Sequence, residues 1–223
     1  GGETINLTPA AMLQQPLRWL EAIARHRATV SGGPNFAYDL CVERTTPEQR
    51  AALDLSSWRR ACNGAEPVRA ETMRRFAEAF AVAGFRAEAF YPCYGLAEAT
   101  LMVTGGRVDA LPVTRTVDRH ALAAGRVEPP AGGDAATTLV SSGRAVGGQR
   151  VLVVDPEARV PLADGAVGEI WVAGPNVASG YWGNAGATAA TFGARLAADA
   201  DGTDDVRFLR TGDLGFLDDG ELF

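Results

Sequence analysis

From Thr8 to Gly106 the chain alternates stretches of helical period with short runs that end in glycine. Beyond Gly106 most of the pattern becomes short strands bounded by turn residues. This order points the first part to strands joined by crossover helices in a parallel sheet, and the second to antiparallel strands with short connections. Thr8 is placed to cap a helix that starts at Pro9 and carries Leu13, Leu17, Leu20 and Ile23 to about Arg27. "TVSGG" (29–33) follows as a strand. Thr46-Pro47-Glu48-Gln49 has the capping-box pattern of a short helix, and "SWRRACNG" (57–64) reads as strand into turn. Residues 68–83 place Met73, Phe76, Phe80 and Val82 on a helix stopped by Gly84, and "EAFYPCYG" is again strand into turn.

Residues 107–137 carry weak periodicity and read as a surface insertion or linker. After them, "QRVLVVD" (149–155), "GEIWVAG" (168–174) and "RFLRTGD" (207–213) are strands, "DDG" (218–220) a hairpin turn, and 185–197 a short helix. The expected fold is therefore α/β: an alternating α/β layer with a parallel sheet over 1–106, the 107–137 segment, then a small antiparallel barrel-like or curled sheet over 138–223.

Composition narrows the function. The net charge of −6 and the lack of any basic tract point away from nucleic acid and anionic membrane surfaces. No apolar run of spanning length or signal-peptide pattern occurs, so no membrane span is expected. Cys41, Cys62 and Cys93 lack metal-ligand spacing, which suggests unbridged thiols in a reducing compartment, the cytoplasm by default. All 21 basic residues are Arg. A chain that starts Gly1-Gly2 and stops at "DDGELF", within what reads as a strand, is taken as a piece of a longer protein.

Two loops are candidates for chemistry. "NGAEP" (63–67) and "YPCYGLAEAT" (91–100) both follow expected strands and are read as leading into helices, the edge at which open α/β sheets bind ligands. Tyr94 offers a flat face for a nucleobase, Gly95 lets a ligand approach the backbone, and amides 95–97 at a helix start favour phosphate. A lone carboxylate there, Glu98, suits Mg²⁺ beside phosphates. Asp213, in "RTGDLG" (210–215), presents two acceptors to a ribose diol. Taken singly, Tyr94, Gly95 and Glu98 are equally a packing residue, a turn former and a solvated helix residue, and "RTGDLG" reads more simply as a capped β-turn.

The ordered series "NGAEP", "YGLAEAT", "GEIWVAGPNVASGYW", "FLRTGDLG" resembles the adenylate-forming superfamily. Within it, "PLRWLEAIARHRATVSGGPNFAYDLC" (16–41) and the "EATL" ending look like the fatty acyl-AMP ligases, and the likeness covers essentially the whole chain. The resemblance implies an ATP-dependent ligase that activates a fatty acid as acyl-adenylate for an acyl-carrier protein, with ATP and Mg²⁺ as cofactors. It also implies that Gly64, Ala65, Glu66 and Pro67, with Tyr94 and Gly95, enclose the nucleotide. On the same basis Asp213 binds the ribose, Glu98 the metal, and Gly33, Pro34 and Asn35 lie by the acyl channel. Ala97 departs from the Thr common before the metal-binding Glu, leaving backbone amides or Thr100 for that phosphate contact. The family's Lys-containing phosphate loop, its His motif and its C-terminal domain have no counterpart in these residues, so no catalytic residue is assigned and the segment alone is expected to be inactive. An acyl-CoA ligase and a non-catalytic nucleotide- or lipid-binding remnant are the alternatives. Residues 107–137 favour the acyl-AMP ligase, since the family carries there an insertion that disfavours CoA.

Overall fold

A computed structural model of the chain describes residues 2–132, 135–197 and 206–223, which fall into two compact units. The first runs to Pro92 and takes in Arg107–Pro112. Its elements are α1 (Pro9–Gln14), α2 (Leu17–His26), β1 (Val30–Gly33), α3 (Asn35–Glu43), α4 (Pro47–Ala51), β2 (Arg60–Asn63), α5 (Ala70–Phe80) and the start of β3 (Phe90–Leu96). β1, β2 and residues 90–92 of β3 run parallel, with Val30 opposite Arg60 and Ala61 opposite Phe90.

The first helix is two helices. The leucine spacing continues across Pro16, but a proline ring clashes with the carbonyl four residues back and bars its predecessor from helical backbone. Gln15 accordingly sits at φ −146°, ψ 87° between α1 and α2. The caps stand as expected: Thr8 accepts from the Ala11 amide, and Thr46 and Gln49 form the reciprocal box that starts α4. α5 buries Thr72, Met73, Phe76 and Phe80, runs into a 3₁₀ turn at Ala81–Ala83 and ends at Gly84 with φ +79°. Its apolar face joins Trp19, Tyr38, Trp58, Phe85 and Phe90 in a cluster of mainly edge-to-face rings, with Trp58 only 1% exposed.

The second unit comprises Cys93–Gly106 and Val113–Phe223, so the chain leaves one unit for the other within β3. It contains β4 (Leu101–Gly105), β5 (Thr114–Asp118), α6 (Arg119–Ala123), β6 (Ala136–Val140), β7 (Arg144–Ala145), β8 (Arg150–Asp155) and β9 (Val160–Pro161). β10 (Gly168–Ala173), α7 (Ala185–Phe192), β11 (Leu209–Gly215), β12 (Leu217–Asp218) and β13 (Glu221–Leu222) follow. Every strand pair in this unit is antiparallel. The largest of its sheets has the open order β11-β10-β8-β9, and no closed barrel forms among the described residues. All six residues of β10 are buried, because Ile170 and Val172 pack with Val103, Val153 and Leu209 on one face while Trp171 and Ala173 pack with Val154, Leu196 and Phe208 on the other.

Within 107–137, where the sequence pattern is weak, the described residues include regular structure. β5 pairs with β6 from Thr114 opposite Val140 to Asp118 opposite Ala136, and Asp118 caps α6 by accepting from the His120 and Ala121 amides at 2.9 Å. Five-residue elements show too little periodicity to stand out in a sequence. α7 ends at Phe192 before Gly193, and part of the expected 185–197 helix is replaced by Ala194 bridging to Phe208.

Candidate active site

The "YGLAEATL" stretch is a strand reversal and not a strand entering a helix. β3 gives way at Ala97–Ala99 to one 3₁₀ turn, and Thr100 and Leu101, with φ of +51° and +83°, turn the chain into antiparallel β4. Gly95 makes this possible. A Cβ there would lie 1.6 Å from the Leu101 carbonyl oxygen, so the group that approaches the Gly95 backbone closely is the returning strand itself. No helix N-terminus follows to gather phosphate.

Glu98 stands on this turn with Oε1 accepting from the Tyr181 hydroxyl at 2.7 Å. That bond, then the residue's own amide, holds the Glu98 carboxyl below the usual glutamate range, so it is ionised at neutral pH. The segment ahead of α7 also grips the turn. The Ala178 amide donates to the Glu98 carbonyl at 2.8 Å, Thr100 Oγ1 donates to the Asn176 carbonyl at 2.6 Å, and Asn176 Nδ2 donates to the Ala99 carbonyl at 2.5 Å. Tyr181 is the site residue that sequence reasoning missed. It lay within the quoted "GEIWVAGPNVASGYW" motif, but nothing local ties it to a carboxylate 83 residues away.

Asp213 meets Tyr94, whose hydroxyl donates to Asp213 Oδ2 at 2.7 Å. Burial, and then the bond to Asp213, push the Tyr94 phenol well above its ordinary range, so it stays a donor. Beneath Asp213 the turn is fastened at several points. Thr211 Oγ1 donates to the Ile170 carbonyl at 2.7 Å and accepts from the Asp213 amide at 3.1 Å. Glu169, 5% exposed, accepts from Arg210, from Trp171 Nε1 at 3.0 Å and from the Gly212 amide at 3.1 Å.

In the first unit, Asn35 is the hub. It is 1% exposed, its Nδ2 donates to the Pro67 carbonyl at 3.0 Å, and its Oδ1 accepts from the Arg69 amide and from Asn63 Nδ2. Glu66 accepts from the Asn35 amide at 2.8 Å and so caps α3, with Pro34 as its N-cap residue. The Asn35 side chain is thus occupied in holding the 63–69 loop. Gly64 and Pro67 lie in that loop, as does Ala65 at φ +68°. Gly33 closes β1, where a Cβ would lie 3.1 Å from Ala37 Cβ.

Among the described residues no three His, Cys, Asp or Glu side chains gather to hold a metal, and none of the three cysteines is in a disulfide. A single ionised, partly exposed carboxylate such as Glu98 nevertheless fits Mg²⁺, which takes one or two carboxylates, substrate phosphates and retained waters. No helix among those residues is long and apolar enough to cross a membrane.

The sequence profile of the family described as "AMP-binding enzyme" matches residues 1–182. A medium-chain-fatty-acid–[acyl-carrier-protein] ligase of Moorena producens is 48% identical over 220 residues, 97% of this chain and 36% of the relative. A ligase described in the same words from Teredinibacter turnerae is 42% identical over 220 residues, 97% of this chain and 34% of its own length. The crystal structure of a fatty acyl-adenylate ligase from L. pneumophila, in complex with acyl adenylate and pyrophosphate, superposes with a TM-score of 0.89 at 47% identity. That match covers 96% of this chain and 37% of the other. The chain spans about a third of the length of these proteins. With the profile matching most of its length, the chain belongs to the AMP-binding enzyme family.

Proposed function

We propose that the full-length protein carrying this sequence uses ATP to activate a fatty acid as its acyl-adenylate and passes the acyl group to the thiol of an acyl-carrier protein. The observation that carries this reading is the bond between Tyr94 and Asp213. It sets an aromatic face beside a carboxylate whose acceptors suit a ribose diol, the two parts of an adenosine. The names of the Moorena and Teredinibacter relatives support the fatty acid and the carrier.

In the first step a carboxylate oxygen of the fatty acid forms a bond to the α-phosphorus as the bond to the bridging oxygen breaks and pyrophosphate leaves. Tyr94 backs the adenine, Asp213 binds the ribose hydroxyls, and Gly64–Pro67 belong to the nucleotide by their motif. Gly33 and Pro34 remain the acyl-side residues, with Asn35 supporting the 63–69 loop. Glu98 would hold Mg²⁺, which when bound offsets the negative charge of the phosphates. These 223 residues contain no Lys to stabilise the pentavalent phosphorus, so residues 1–223 alone should not adenylate.

Fatty-acid-dependent exchange of pyrophosphate into ATP tests the reading. The full-length protein should exchange only when fatty acid is present and should load a carrier protein in preference to CoA. Exchange indifferent to fatty acid, or acyl-CoA formed as readily as acyl-carrier, overturns it.

A further inference from the structure

We propose that Tyr181 is a positioning residue for Glu98: its phenol fixes the carboxylate in the orientation from which it takes a divalent cation. The inference rests on the reading of Glu98 as the metal carboxylate. The donor is itself anchored. The Tyr181 amide donates to Thr188 Oγ1 at 2.9 Å, and the ring meets Phe192 edge-on at 5.1 Å, so both contacts come from α7. Gly180, at φ +144°, has Thr188 Cγ2 only 2.3 Å from where a Cβ would stand, which leaves the chain pressed against that helix.

The acceptor end is equally fixed. The bonds from Ala178 to the Glu98 carbonyl and from Thr100 to Asn176 hold the turn and the 176–181 segment in register. A glutamate on such a turn would otherwise sample several rotamers. A bond to an anchored phenol selects one before any ligand arrives, which lowers the ordering cost of binding. The carboxylate keeps capacity for a cation, since the phenol engages one of about four lone-pair positions. Partners of this kind behind a metal ligand typically change metal affinity by about 10- to 100-fold.

The test uses the full-length protein, with Mn²⁺ binding followed by its electron paramagnetic resonance signal, with and without ATP. Tyr181→Phe, which keeps the ring against Phe192, should raise the Mn²⁺ Kd by about 10-fold. It should raise the metal concentration for half-maximal acyl-adenylate formation in proportion, while the rate at saturating metal stays near that of the parent. Thr188→Val, which removes the acceptor for the Tyr181 amide and leaves Glu98 untouched, should move both quantities the same way by less. If Glu98→Gln weakens Mn²⁺ binding and Tyr181→Phe does not, the positioning role is overturned while Glu98 stands as ligand. If Glu98→Gln leaves Mn²⁺ binding unchanged, the metal reading fails and the inference falls with it. Should Tyr181→Phe not fold, an unchanged Mn²⁺ Kd in Thr188→Val overturns the proposal.

Discussion

Tyr94 and Asp213, 119 residues apart in the chain, are joined by a hydroxyl–carboxylate hydrogen bond of 2.7 Å. The bond holds the Asp213 carboxylate at the hydroxyl end of the Tyr94 ring through Oδ2 and leaves Oδ1 for a ligand.

Removing the acceptor should therefore act on the nucleotide alone. In the full-length protein Asp213→Ala loses a charge-assisted bond worth roughly 1.5–3 kcal/mol, so ATP affinity should fall by about 10- to 150-fold with fatty-acid affinity unchanged. Tyr94→Phe, which keeps the aromatic face and loses the orienting bond, should cost less, about 2- to 10-fold. Calorimetric titration with ATP and with fatty acid separates the cases. Equal loss for both ligands would indicate a folding defect.

Glu98→Gln keeps the shape of the side chain and removes its charge. Acyl-adenylate formation should drop by about 100-fold, the scale of one lost electrostatic stabiliser. The measurement is the single-turnover rate at saturating Mg²⁺, and a near-parental rate would return Glu98 to an ordinary surface residue.

Glu169 lies beneath the Asp213 turn as a buried acceptor for Arg210, Trp171 and Gly212. Glu169→Leu would leave the Trp171 indole N–H without its acceptor and release an Arg210 guanidinium that, at 38% exposed, water can solvate, so the cost should be about 1–3 kcal/mol, which urea unfolding would register. Burial pushes the Glu169 carboxyl up, but the bonds from Arg210, Trp171 and Gly212 together hold it below the usual range. A lowered folded-state value contributes stability that is complete above the unfolded value of about 4.3 and is lost as pH falls through the folded one. The parent should therefore lose stability on acidification below about pH 4.3 more steeply than Glu169→Gln.

Asn35→Leu fills the same space without the three side-chain bonds. Of its three partners Asn63 is buried while Pro67 and Arg69 lie at exposed positions, so at ~1–3 kcal/mol for a buried partner that loses its bond it should destabilise the first unit by about 1–3 kcal/mol. Hydrogen exchange should rise first at the amide of Arg69, which Asn35 Oδ1 accepts. Protection at Arg69 unchanged from the parent would show that the loop holds without Asn35.

What the sequence disclosed was local chemistry. Thr8 and Thr46 cap helices through groups three residues away, and Gly84 stops α5 through its own backbone freedom, so each signal lies within one window of the chain. Pro16 carried such a signal as well, but the leucine spacing on either side masked it. The strand reversal at Glu98 was hidden because Thr100 and Leu101 adopt left-handed backbone that their residue types do not announce. The residue types therefore point to a helix following this loop, where the chain instead forms a 3₁₀ turn and β4. The partners of Glu98, Asp213 and Glu66 were hidden for another reason. Tyr181, Tyr94 and Asn35 reach them from 83, 119 and 31 residues away, and a pair at such separation leaves no periodic trace.

The crowding at Gly95 has a consequence for how this stretch can vary over generations. With the Leu101 carbonyl where the first atom of any side chain would go, even a methyl group would pry the reversal open and swing Glu98 off Tyr181. In a saturation library of the full-length gene, position 95 should tolerate one amino acid only. Exposed Ala97, two residues on, should accept many. Drift along this loop is thus channelled into the turn's outer face, and the inner face is closed to it by the backbone alone.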